Sequence, residues 1–372
     1  MRVRGVELSE IRLPLREAFT TSKSGTRRGR RVLLVGVVGE DGLEGWGECV
    51  AGEDPSYSYE TTDTAWEILT RFLLPQLPGY EIPAPGEILA SSGWVRGHPM
   101  AKAAVEMAAW DLEAKARGVP LWELLGGSGE PVPVGVVIGL EPDDDALLSR
   151  MEGYVSSGYA RIKVKIGPGR DVGMVRAVRD RFPETALSVD GNASYSLADE
   201  AVFIELDELG LVMIEQPLGS EDLLDHARLQ SRVRTPVCLD ESIRSPGDAR
   251  LALRLGACRI VNVKPGRVGG HALARQVHEV CRAAGAPVWC GGMLETGIGR
   301  AHNLALATLP GFTLPGDISE SQRYWTRDIV TPEFRMEEGR MGPTSAPGIG
   351  VDPDRERILE LTARAASFGL LD

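Results

Sequence analysis

Five ionisable residues recur at a nearly constant interval: Lys165, Asp190, Glu215, Asp240 and Lys264 are separated by 25, 25, 25 and 24 positions. Each closes a short hydrophobic run, IKVK, LSVD, VMIE, VCLD and VNVK. Three carboxylates brought together repel unless a cation neutralises them. An all-oxygen set without His or Cys suits a hard divalent ion, Mg²⁺ first, with Mn²⁺ or another divalent ion as a substitute. An amine beside such a centre suits removal of a proton from the carbon next to a carboxylate, because a cation stabilises the enediolate charge as it develops. Lys163 lies two residues before Lys165, hence on the same strand face, and its charge is expected to lower the proton affinity of Lys165. Bases on opposite faces of the carbon give racemisation. One base with a stabilising partner gives syn elimination or cycloisomerisation.

Taken singly, these residues have plainer uses. A strand-end Asp commonly caps the following helix, as Asp240 before Glu241-Ser242 would, and a lone strand lysine usually snorkels to solvent. The common interval and the common strand end set the five apart.

The elements that must position them follow from the same rhythm. From about Val134, short β-branched runs alternate with amphipathic helical stretches, and eight such runs end at Ile138, Lys165, Asp190, Glu215, Asp240, Lys264, Gly291 and Asp317. Eight βα units in roughly 200 residues predict a (β/α)₈ barrel, whose strands all open on one catalytic face. A doubly wound sheet would carry a Gly-rich phosphate loop after its first strand, and none follows here. With strands spaced by about 45° around the ring, Asp190, Glu215 and Asp240 form an arc, and Lys165 and Lys264 face each other across it. Ahead of the barrel, Arg31 to Gly39 and Leu43 to Glu48 read as a hairpin around Glu40-Asp41-Gly42, and Pro99 to Arg117 reads as a helix stopped by Gly118. The expected organisation is an N-terminal α+β capping domain over 1–127, the barrel over 128–340, and a C-terminal segment, 341–372, with a helix from Arg355 to Ala366, packing back on the cap.

Composition narrows the partners. The 372 residues carry 41 Lys+Arg and 53 Asp+Glu, so 41 − 53 gives a net charge of −12, unsuited to coating nucleic acid or resting on an anionic membrane. The N-terminal stretch MRVRGVELSEIRLPL shows no secretory signal, and no apolar stretch is long enough to span a bilayer, so a cytoplasmic protein acting on a small molecule is expected. Five cysteines without a CxxC pair read as reduced, buried thiols. Thr21 to Arg31 holds Lys23, Arg27, Arg28, Arg30 and Arg31, a basic loop suited to drawing in a dicarboxylate, and Phe19 before it is an apolar wall or core. His271, His278 and His302 are assigned to structure.

The residues Lys163-Val164-Lys165, Val189-Asp190-Gly191-Asn192, Ile214-Glu215-Gln216-Pro217, Leu239-Asp240-Glu241-Ser242 and Asn262-Val263-Lys264-Pro265 resemble the enolase superfamily, in its muconate-lactonising-enzyme subgroup. The resemblance covers nearly the whole chain. It implies that Lys165 and Lys264 are the acid/base pair, with Lys163 beside them, and that Asp190, Glu215 and Asp240 hold Mg²⁺. The runs Gly316 to Ser321, Lys264 to Gly270 and Gly291 to Gly297 resemble the o-succinylbenzoate synthase and N-succinylamino acid racemase branch. That branch implies dehydration in menaquinone synthesis, racemisation of succinylated amino acids, or both, on a small carboxylate substrate in a homo-oligomer. A muconate-type cycloisomerase, another acylamino acid racemase and a non-catalytic carboxylate-binding barrel are the competing readings. Phe19, Asn192, Arg267, Met293, Asp317 and Ser319 are the expected substrate-facing positions. Dipeptide epimerases of the subgroup carry a second carboxylate where Ser319 stands, and mandelate-racemase relatives carry a strand-seven histidine where this chain has Trp289-Cys290.

Overall fold

A computed structural model describes residues 1–21 and 25–369. The N-terminal sheet is built on a long hairpin of β1 (Val3–Thr21) and β2 (Gly25–Gly39), followed by β3 (Glu44–Cys49). The helix α1 (Pro99–Arg117) lies directly on β3. Their closeness explains Gly45-Trp46-Gly47: a Cβ on Gly45 would stand 2.0 Å from the Ala108 carbonyl oxygen, and one on Gly47 2.0 Å from that of Ala104. Only glycine on the strand and alanine on the helix permit that approach.

Seven parallel strands form the barrel wall in chain order: β4 (Gly135–Ile138), β5 (Arg161–Lys165), β6 (Leu187–Asp190), β7 (Ile214–Glu215), β8 (Val237–Leu239), β9 (Ile260–Val263) and β10 (Val288–Cys290). The eighth predicted run does not form a full strand. Phe312 bridges to Val288 on one side and Gly316 to Val134 on the other, so this segment closes the ring at two points. Pro315 lacks the N–H a ladder needs, which keeps the pairing discontinuous. On β5 the strand period sends Ile162 and Val164 into the main core, while Arg161, Lys163 and Lys165 point into the barrel.

The C-terminal segment does pack back on the cap, but not as one helix. Helix α2 (Arg355–Leu361) stops, and β11 (Thr362–Phe368) pairs antiparallel with β1, giving the sheet order β11-β1-β2-β3. Thr362 to Phe368 alternates half-buried and exposed positions, the pattern of a strand with one covered face, and β1 offers the open edge. The expected basic loop is also largely strand from Gly25 onward, and Lys23 lies outside the described residues. All five cysteines are buried and free, and among the described residues no helix is long and apolar enough to cross a membrane.

Candidate active site

Strand register brings the predicted residues together. Lys165 pairs with Asp190, and Asp190 with Glu215, so three neighbouring strands present amine, carboxylate and carboxylate side by side. Glu215 pairs with Cys238, which places Asp240 two residues beyond, just past the end of β8. The polypeptide turns sharply here: Asn192, Ala193 and Gln216 all have positive φ. Such backbone costs about 1–3 kcal/mol per residue and persists where its surroundings fix it. Gln216 supplies one such restraint, its side-chain oxygen accepting from the Asp240 and Ser242 amides at 3.0 and 3.2 Å.

Each carboxylate is matched to an amine. Lys165 Nζ is 2.5 Å from Asp190, and Lys264 Nζ is 2.8 Å from Asp240. Lys163 sits lower, 2.7 Å from Glu215, 2.7 Å from Asp317 and 3.3 Å from Asp190. Burial works against the Lys163 ammonium, but the Asp317, Glu215 and Asp190 charges outweigh it and hold it well above the ordinary lysine value. Burial likewise opposes the charge on Lys264, and Asp240, Tyr57 and Glu215 together outweigh it. Asp190 would be raised by burial; Lys165 and Lys163 hold it below the usual carboxylate range. Glu215 and Glu241 have no such surplus. Burial first, then the neighbouring Asp190 and Asp240 charges, push them up to about 7 and about 8.

Among the described residues no three His, Cys, Asp or Glu side chains converge as a closed ligand set, because the lysines stand among the carboxylates. The donors nevertheless fit a hard divalent cation. They are all oxygens, buried and crowded enough to raise one of their number, Glu215, and two further buried oxygens beside them, Asn192 Oδ1 and Glu241 Oε2, have no hydrogen-bond partner.

One cavity holds this chemistry. Its lining includes Lys163, Lys165, Asp190, Asp240 and Lys264, together with Phe19, Asn192, Met293 and Asp317 from the expected substrate-facing set. Arg267 and Ser319 are not on its wall. Arg267 is buried behind Asp240, bonding that carboxylate and the Ile243 and Asn262 carbonyls. Ser319 donates to the Gly135 carbonyl at 3.2 Å. Asp317 faces the cavity but is bound on both oxygens, by Lys163 and by Arg161, each at 2.7 Å. Of the basic hairpin, Arg27 and Arg30 line the cavity, Arg27 also pairing with Asp54, while Arg31 is taken up by Glu10 and Asp63.

Sequence reasoning missed three contributors. Tyr57, from the N-terminal domain, donates to Asp240 at 3.0 Å, and its ring centroid lies 4.9 Å from Lys264 Nζ. It sits in an irregular loop, where no periodicity marks it. Asn262 donates to Glu215 at 2.9 Å, and Arg161 supports Asp317 while stacking on Trp289 at 4.3 Å. Both lie two residues before a marked lysine, so extending the strand period inward was the available signal.

Comparison with known proteins identifies the family. The family described as "Enolase C-terminal domain-like" matches residues 146–357, and "Mandelate racemase / muconate lactonizing enzyme, N-terminal domain" matches residues 4–126. The chain belongs to the enolase superfamily. Within that superfamily it is 51% identical to o-succinylbenzoate synthase of Geobacillus kaustophilus over 363 residues, covering 98% of this chain and 96% of that one. It is 48% identical to N-succinylamino acid racemase of Thermus thermophilus over 351 residues, covering 94% and 95%. The crystal structure of an enolase superfamily member from Listeria innocua superposes with a TM-score of 0.95 at 41% identity, covering 99% of each chain.

Proposed function

We propose that the protein removes the α-proton of a small dicarboxylate, acting as an o-succinylbenzoate synthase, an N-succinylamino acid racemase, or both. The observation that carries this reading is the placement of Lys165 and Lys264 in one cavity, each beside its own carboxylate on separated strands. In the dehydration Lys165, neutral at that point, takes the α-proton and then, as the ammonium, gives it to the hydroxyl on the neighbouring carbon, which leaves from the same face as water. Lys264, held as an ammonium beside Asp240, stabilises the developing negative charge. Racemisation uses both amines, one removing the proton and the other returning one to the opposite face. A divalent cation, Mg²⁺ by the hardness of the donors, would be held by Asp190, Glu215 and Asp240 and would supply charge stabilisation at the substrate carboxylate.

A dicarboxylate fits the basic lining of the cavity, which carries Arg27 and Arg30 besides Lys163, Lys165 and Lys264. The names of both relatives contain a succinyl group, and the corresponding compounds carry two carboxylates. A role in menaquinone synthesis, in the cytoplasm, belongs to the synthase arm of this reading.

The test is α-proton exchange in deuterated water with Mg²⁺ present, using N-succinyl and N-acetyl amino acids in parallel, beside a direct assay of the dehydration. Exchange that favours the succinyl substrates supports the proposal. Absence of both exchange and dehydration removes it.

A further inference from the structure

The N-terminal domain reaches into the barrel at a point the reaction does not use. Glu48, at the end of β3, is fully buried, and its carboxylate accepts from Thr296 Oγ1 at 2.6 Å, the Thr296 amide at 3.1 Å and the Gly299 amide at 3.0 Å. Thr296 and Gly299 open the barrel helix α3 (Gly297–Ala307) that follows β10. Glu48 thus caps a helix of the other domain, 248 residues along the chain. A Cβ on Gly299 would lie 2.9 Å from Glu48 Oε2, so the small residue there keeps room for the carboxylate.

What this cap restrains is the wall of the cavity. Gly291 to Thr296 joins β10 to α3, and Gly292, Met293 and Leu294 line the cavity. The Met293 sulfur is 3.5 Å from Lys264 Nζ. Leu294 is held at φ +58°, a left-handed conformation that a residue with a Cβ rarely adopts. Its neighbours fix it there: Glu295 accepts from the Met293 amide at 2.8 Å and from Asn303 at 2.9 Å, and Glu48 pins Thr296. Backbone of this kind persists only where the surroundings over-determine it, and it recurs at ligand clamps.

We propose that Glu48 is a positioning residue, which clamps the Gly291–Thr296 loop from the other domain and so sets where Met293 and Leu294 meet the substrate beside Lys264. This rests on the reading of the cavity as the substrate site. Lys165, Asp190 and Glu215 stand on other strands and Lys264 is held in place by Asp240, so the clamp acts first on binding and meets the proton-transfer groups only through the Met293 contact to Lys264.

Glu48→Gln and Thr296→Val each weaken the clamp while keeping side-chain size. In the full chain, kcat/KM for an N-succinylamino acid is expected to fall by up to about 100-fold, carried by KM with kcat within about threefold. Amide hydrogen exchange is expected to quicken over 291–299 and to stay unchanged in α1. Wild-type KM together with wild-type exchange in both folded variants overturns the proposal, as does a general quickening of exchange with kcat and KM lost together, the signature of plain destabilisation. If the wild-type protein itself shows no turnover, the functional reading fails, and the exchange pattern over 291–299 still decides the clamp.

Discussion

Lys163 and Asp317 stand 2.7 Å apart, nitrogen to oxygen, and join β5 to the segment that closes the barrel. The second Asp317 oxygen is held at 2.7 Å by Arg161, which stacks on Trp289 at the barrel floor. Asp317→Ala therefore leaves two buried cations short of a partner, and breaking such a pair costs about 3–5 kcal/mol. Adding Arg161→Met, an apolar side chain of related length, is expected to recover part of that loss. Denaturant unfolding of the two single variants and the double variant measures the coupling. Additive losses would show that Arg161 and Asp317 do not act on one another.

Lys165 and Lys264 are expected to serve opposite faces of one carbon. Lys165→Ala and Lys264→Ala should each abolish racemisation, with losses at or beyond the roughly 10²–10⁴-fold typical of a removed general base. Each variant should still exchange the α-proton of one enantiomer, the one whose proton faces the surviving lysine. Proton NMR in deuterated water, with each enantiomer supplied separately, gives the result. Survival of racemisation in either variant excludes a two-base mechanism.

His271 and His302 share a 2.9 Å hydrogen bond between their rings, and His302 also bonds the Trp46 carbonyl of the N-terminal domain at 2.8 Å. Burial lowers the proton affinity of both, His271 furthest, where the His302 ring adds to the effect. A histidine kept neutral in the folded state stabilises fully above its unfolded value of about 6.5, and stability is lost as the pH falls and the unfolded chain takes up protons. Each such histidine contributes a slope of about 1.4 kcal/mol per pH unit below that value. The nearby Glu106 carboxyl, pushed by burial up to about 7, acts in the opposite sense. The informative quantity is therefore the difference between variants: His302→Gln should remove one histidine's slope between pH 6 and 4.5, read by denaturant unfolding at each pH. An unchanged slope would mean that the ring is charged in the folded protein.

Much of the site was legible because a strand has a fixed period and a barrel a fixed open end. The interval from Lys165 to Lys264 identified the strand ends, and the alternation Arg161, Lys163, Lys165 follows from the same rule. Contacts between distant segments were not legible. Tyr57 reaches Asp240 across 183 positions and Glu48 reaches Thr296 across 248, and neither is set by local propensity. The stretch from Thr362 to Ala366 reads as the end of a helix, and Thr362–Phe368 becomes a strand because β1 leaves an edge to be paired. Arg31 looked available for substrate until the fold placed Glu10 and Asp63 beside it.

The oxygens of Asp190, Glu215 and Asp240 make a further prediction about metal binding, independent of turnover. Burial and mutual crowding push Glu215 up to about 7, so a bound cation relieves a repulsion that the folded chain otherwise carries. A ligand that binds only the folded state stabilises it, by about 2.7 kcal/mol when present at 100 times its dissociation constant. Adding MgCl₂ to protein stripped with a chelator should therefore raise the unfolding midpoint. Asp190→Asn, Glu215→Gln and Asp240→Asn should each remove most of that rise, whereas Glu106→Gln, a buried carboxylate outside the cavity, should keep it. Calorimetric titration with Mn²⁺ gives the stoichiometry, expected to be one ion per chain. A midpoint that does not move with Mg²⁺, or a rise equally large in all three site variants, would place the metal elsewhere and leave the carboxylates as partners of Lys163, Lys165 and Lys264 alone.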